Sequence, residues 1–190
     1  MLEELFSAVL FIHILLIVGM GAPLYNLIVV NERAKMGKVK ADVDRYMEKI
    51  ISTNSIRCYV FQFTALITGL SLPYLHDPPI SFFEIWILVK FSLLFALVAN
   101  LSFVHFRIQP KINNLLKQVE GDSIPEDILG KIRPLRALRK KLASVCLFVV
   151  GTIILIAIGH ETPIIIYLLS PIVAIFSWLV YKRGVPLGWI

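Results

Sequence analysis

The chain is expected to be an all-α integral membrane protein, a helical bundle with a four-helix core and a fifth transmembrane helix beside it. Three observations predict this. Of its 190 residues, 57% are hydrophobic and only 17% charged, and the mean hydropathy is +0.79, far from the balance of a water-soluble domain. Apolar runs of the roughly 18 to 25 residues needed to cross a hydrocarbon layer occur at about 5–30, 56–75, 83–108, 142–159 and 164–181. None of these runs alternates polar and apolar residues, as the strands of a membrane barrel would.

The first run follows "MLEELFSAVL". It is acidic where a signal peptide would be basic, and no small-residue cleavage site precedes polar sequence, so this helix is expected to stay in the mature protein. The second run carries Gln62, Thr64 and Thr68, enough polar groups to bond across helices, and Cys58 lies within it. The third contains Lys90 and ends beside His105 and Arg107. The fourth contains Cys146. The two cysteines have neither CxxC nor CxxCH spacing, so they predict buried thiols rather than a disulfide framework or covalent haem attachment. The fifth run has Pro171 near its middle.

Charge sets the orientation. Nearly all the Lys and Arg lie in 31–55 and 109–141, with "YKR" after the fifth run, whereas the amino terminus, "HDPPIS" and "GHETP" carry none. The positive-inside rule puts the basic segments in the cytoplasm, the amino terminus outside and the carboxyl terminus inside, in a plasma or inner membrane. Ile112, Leu115, Leu116 and Val119, and then Leu129, Ile132, Leu135 and Leu138, recur at helical spacing, and Ser123, Pro125 and Glu126 read as a helix start. Both basic segments therefore predict amphipathic helices on anionic headgroups. Their place beside membrane spans accounts for the charge without a nucleic-acid partner. No glycine-rich phosphate loop, HExxH or GxSxG element points to hydrolytic or nucleotide-driven chemistry.

The polar residues inside the spans carry the functional expectation. His13 falls about eight residues into the first run, roughly 12 Å below the outer surface, and Lys90 falls at a similar depth in the third. An ionisable group at that depth is costly and faces a bundle interior or a cavity. His76 and His160 fall in the outer turns. His105 lies near the opposite surface. The small residues of "GMGA" and "TGL" admit close helix packing or a flat cofactor against the backbone.

These elements, "FIHILLIVGMGAPLY", a basic stretch, "ALITGL" and "FFEIWILVKFSLLFALVANLSFVH", resemble in content and order the CopD and HemJ-like superfamily of small membrane proteins, over roughly residues 5 to 155. The resemblance implies a four-helix unit that binds haem b, and it carries functional roles to His13 and Lys90. In the HemJ-type protoporphyrinogen oxidases an aromatic and basic signature follows the first-helix histidine, where this chain reads "APLYNLIVVNERA". The expected function is b-type haem binding with electron transfer, as the membrane subunit of a redox complex served by a partner protein or quinone, in a homo- or hetero-oligomer. His13 is the first-choice iron ligand. His76, His160 or Lys90 would be the second, Lys90 alternatively serving as a cation for a haem propionate, and His105 ranks behind them. The alternatives are a protoporphyrinogen oxidase, a copper transporter using His13, Met20 and outer histidines, and a purely structural subunit.

Overall fold

The computed structural model describes residues 2–31, 40–76, 78–159 and 162–183. Every regular element among them is helical: α1 (Leu2–Asn31), α2 (Ala41–Leu75), α3 (Ile85–Phe103), a π-helical turn (Val104–Ile108), α4 (Gln109–Lys117), α5 (Glu126–Gly159) and α6 (Pro163–Arg183). Five helical stretches are long and apolar enough to cross a membrane, with α3, the π turn and α4 forming one of them. The chain is a multi-pass membrane protein.

Local chemistry explains the boundaries. Glu3 and Glu4 of α1, and Glu126 and Asp127 of α5, sit in first turns, where carboxylates favour the exposed N–H groups and the dipole. At the end of α2, His76 turns to extended backbone and its N–H closes on the Leu72 carbonyl at 3.1 Å; the prolines that follow it cannot prolong the helix. Gly121 takes a positive φ of 87° in the reversal between α4 and α5, a conformation that favours glycine. Pro171 does not interrupt α6, which runs through it. A proline inside a membrane helix is tolerated when neighbours re-satisfy the freed carbonyl. Pro110, next to the π turn, accounts for that turn: its ring crowds the carbonyl four residues back, and local widening relieves the clash.

Helices α1 and α2 are antiparallel, in a register fixed by three contacts. Phe6 meets His76 edge-on, His13 meets Thr68, and Gly19 lies flush against Phe61, where a Cβ would come within 3.2 Å of the ring. Helix α3 packs on α2 and α5, and α1 also packs on α5. Met20, Leu24, Leu97, Cys146 and Val150 form one core where α1, α3 and α5 converge.

Helix α6 docks on α5 through a face of small residues. A Cβ on Gly151 would lie 2.6 Å from Val173 Cγ1, one on Gly159 would lie 2.6 Å from Ile166 Cγ1, and the Ser144 hydroxyl donates to the Ser177 carbonyl. Val173 is β-branched and has few rotamers to yield. Gly151→Ala is therefore expected to cost about 1–3 kcal/mol, as overpacking does, and Val173→Ala in the same chain to restore most of it. Thermal unfolding in detergent reads both, with Gly130→Ala as the control because its Cβ would meet nothing within 4 Å. Equal melting of the Gly151 and Gly130 variants would show that α6 is not held there.

At 35 residues, α2 spans about 52 Å, well over the roughly 30 Å of a hydrocarbon core. The expected span at 56–75 is thus the distal part of one rod that also contains 41–55, and α4 continues α3 through the π turn. Much of the apolar stripes of 109–141, expected to face headgroups, is buried within the protein. Ile108, Ile112, Leu116, Val119, Ile128 and Ile132 form a core with Ala41 and Val104. Of the residues that periodicity singled out, Ile112, Leu116, Val119 and Ile132 are buried and Leu115 and Leu135 pack on them, whereas Leu138 is 40% exposed. The segment 32–39 lies outside the described residues.

Candidate functional site

Two polar centres lie at opposite ends of α2. At the first, His13 of α1 is half-buried, with Nδ1 2.7 Å from Thr68 Oγ1. The Thr68 hydroxyl in turn lies 2.9 Å from the Thr64 carbonyl, one helical turn back. A hydroxyl has one proton. Both bonds are made when Thr68 donates it to Thr64 and the His13 Nδ1–H donates to the Thr68 oxygen. This assignment follows from the hydrogen-bond network. It leaves the His13 Nε2 lone pair unclaimed by any described residue. Gly69 makes room for the ring, since a Cβ there would stand 3.3 Å from His13 Cε1.

Lys90 reaches the same level from α3. The bonds from Gln109 to Glu48 and from Tyr59 to Ser102 set the antiparallel register of the two rods, and that register carries Lys90 to the level of Thr68 and Gly69. Lys90 thus stands on the level of the His13–Thr68 pair. It is half-buried and forms no hydrogen bond or ion pair with a described residue. Counting residues from the helix ends gives His13 and Lys90 one depth, and the register of the two rods agrees with it.

The other histidines are placed differently. His76 is held by Phe6, at 5.6 Å between ring centroids, and by its Nδ1–H donating to the Pro78 carbonyl at 2.8 Å. It lies about 12 Å further along α2 than Thr68, so it does not face His13 across a single atom. His160 lies outside the described residues. His105 is on the π turn, with its ring edge-on to Tyr59 at 5.9 Å and its buried Nδ1 without a hydrogen-bond partner among the described residues. Met20 is buried in the apolar core with Leu24 and Leu97 rather than turned toward His13. Among the described residues no group of three His, Cys, Asp or Glu side chains gathers into a metal cage. A planar cofactor bound through one imidazole needs no such cage; the unclaimed Nε2 of His13 is the group that could meet it, while the glycines here are filled, Gly19 by Phe61 and Gly69 by His13 itself.

Sequence reasoning missed the second centre. Glu48 of α2 is buried, and each of its carboxylate oxygens accepts two bonds. Oε1 takes Arg136 Nε at 3.0 Å and Arg139 Nη2 at 3.1 Å; Oε2 takes Arg139 Nη1 at 2.6 Å and Gln109 Nε2 at 2.9 Å. Arg139, fully buried, also donates to Gln109 Oε1 at 2.6 Å. Arg136 pairs with buried Asp44, and Gln109 donates on to Asn113 at 3.0 Å. The cluster joins α2, α4 and α5 about 30 Å along α2 from Thr68, a full hydrocarbon thickness away. A signal for it was present: Asp44 and Glu48 fall in phase with the buried stripe Ala41, Ile51, Cys58 and Ala65, and Arg139 falls in phase with Ile128, Ile132, Ala143 and Cys146. A charge in phase with a buried stripe needs a buried partner.

Comparison with known proteins adds no relative: no family model, curated protein or solved structure matches the chain.

Proposed function

We propose that the protein binds b-type haem at the His13 end of the bundle and passes electrons within or along the membrane, as the membrane subunit of a redox system with a partner protein or quinone. In this reading α1, α2, α3 and α5 form the haem-bearing unit and α6 stands beside it. The basic end faces the cytoplasm. One observation carries the reading: His13 is fixed through Nδ1 by Thr68, while Nε2 remains available on a level with Lys90. That is how a ligating imidazole is held, the second nitrogen's bond setting tautomer and ring angle.

When bound, haem would supply reversible one-electron exchange, with a potential tuned by the apolar surroundings. The chain's own residues do the rest. His13 would offer its Nε2 to the iron, while Thr68 stops the ring rotating and Gly69 admits it against α2. Lys90 either offers its deprotonated amine to the iron or, protonated, neutralises a propionate.

The test is the reduced-minus-oxidised visible spectrum of the detergent-purified full chain, expressed with a haem precursor, with pyridine haemochrome quantitation. A b-type α band with acid-extractable haem is the expected result. A colourless protein overturns the reading, and copper bound in its place would move the function to metal transport.

A further inference from the structure

A cavity of about 280 Å³ opens beside the charged cluster, between α2 and α4. Arg45, Lys49 and Ser52 line one wall, Asn113 and Lys117 the other, and Glu48 stands at the back. We propose that this cavity holds the phosphate-bearing headgroup of an anionic phospholipid from the leaflet on the basic side of the membrane.

The charge balance favours an anion. All four acceptor positions of Glu48 are taken by Arg136, Arg139 and Gln109, so its charge is already compensated from behind. Arg45 is steadied by Asp42 at 3.0 Å and by donating to the Val119 carbonyl. The ammonium groups of Lys49 and Lys117 have no hydrogen-bond or ion-pair partner among the described residues. Two uncompensated cations, a hydroxyl and an amide thus converge on one hollow, a donor set suited to phosphate oxygens. Lys supplies point charge and Ser52 and Asn113 supply direction.

Position selects the source of the phosphate. On α2 the cavity runs from Arg45 to Ser52, and Ser52 stands one helical turn before Ile56, where the apolar run begins, so the membrane side of the cavity borders the headgroups. The α2 face that carries Lys49 and Ser52 continues toward the membrane centre, at helical spacing, as Ile56, Val60 and Phe63, which are 58%, 58% and 65% exposed. A charged hollow below an exposed apolar strip matches a lipid, head in the cavity and chains along the strip. A free phosphate would use only the hollow.

Native mass spectrometry of the detergent-purified full chain, titrated with phosphatidylglycerol, phosphatidylcholine or soluble glycerol phosphate, tests this. Phosphatidylglycerol is expected to bind in preference to the other two, and Lys49→Gln with Lys117→Gln to weaken it about 30-fold, from two interfacial cations. Lys141→Gln with Lys182→Gln, which removes equal charge outside the cavity, should change binding less than about twofold. All four lysines are exposed, so the variants should melt with the wild type. Equal binding of phosphatidylcholine, equal loss in the control, or glycerol phosphate binding as tightly as the lipid would each overturn the proposal. So would loss confined to Lys111→Gln with Lys131→Gln, which line a separate hollow beyond α4.

Discussion

Arg139→Ala is expected to destabilise the protein by about 3–5 kcal/mol, lowering the detergent melting temperature by roughly 10 °C or more. The guanidinium is fully buried and supplies two of the four bonds that Glu48 accepts, along with the bond that Gln109 Oε1 accepts. Truncation leaves a buried carboxylate with half its compensation and a buried amide oxygen with none. Water entering the gap would recover only part of this. The ion pair as a whole need not stabilise the fold, because desolvating both charges offsets most of their attraction. The companion variant Arg139→Met with Glu48→Gln, which removes the Glu48 charge together with the guanidinium and leaves Arg136 to Asp44, is therefore expected to regain more than half of the loss. A melting temperature within about 2 °C of wild type for Arg139→Ala would mean that solvent already reaches the cluster, equivalent to under 1 kcal/mol.

On the proposed haem reading, at the other end of α2, His13→Ala is expected to abolish the α band, and Thr68→Val to weaken haem retention by about 10- to 100-fold, the usual effect of removing the group that orients a ligating histidine. Valine keeps the volume of threonine and removes the oxygen that accepts the His13 Nδ1–H. The imidazole can then rotate, and its N–H is left without a partner. Thr68→Ser restores the oxygen and should restore retention, which separates orientation from packing. Lys90→Gln divides the two roles of the lysine. A shifted α band would identify it as a ligand, and an unshifted band with weaker retention as a propionate partner. Haem content unchanged in both His13→Ala and Thr68→Val would remove this site from consideration.

How much of this could be read beforehand varied with the physics involved. Five membrane-length helices were legible because hydropathy over twenty residues is an average that no single contact alters. The shared level of His13 and Lys90 was legible from a rise of 1.5 Å per residue. Thr68 was read only as a polar helix residue, because its role depends on which face of α1 lies opposite. The basic segments were the hardest to place. From Ala41 to Thr68 there is no glycine or proline to mark where the membrane ends and water begins. An amphipathic stripe has the same periodicity whether headgroups or another helix cover it. Only the phase of Asp44, Glu48 and Arg139 against the buried stripes distinguished the two.

That α2 carries both centres on one uninterrupted rod has a mechanical consequence. A bilayer that thickens or thins can tilt this helix or deform around it, but it cannot slide Thr68 relative to Glu48, because the intervening backbone hydrogen bonds are closed. The cluster that ties α2 to α4 and α5 fixes the near end of this rod to its neighbours. The altitude of His13 above it is set by peptide geometry, independent of the lipid in which the protein stands.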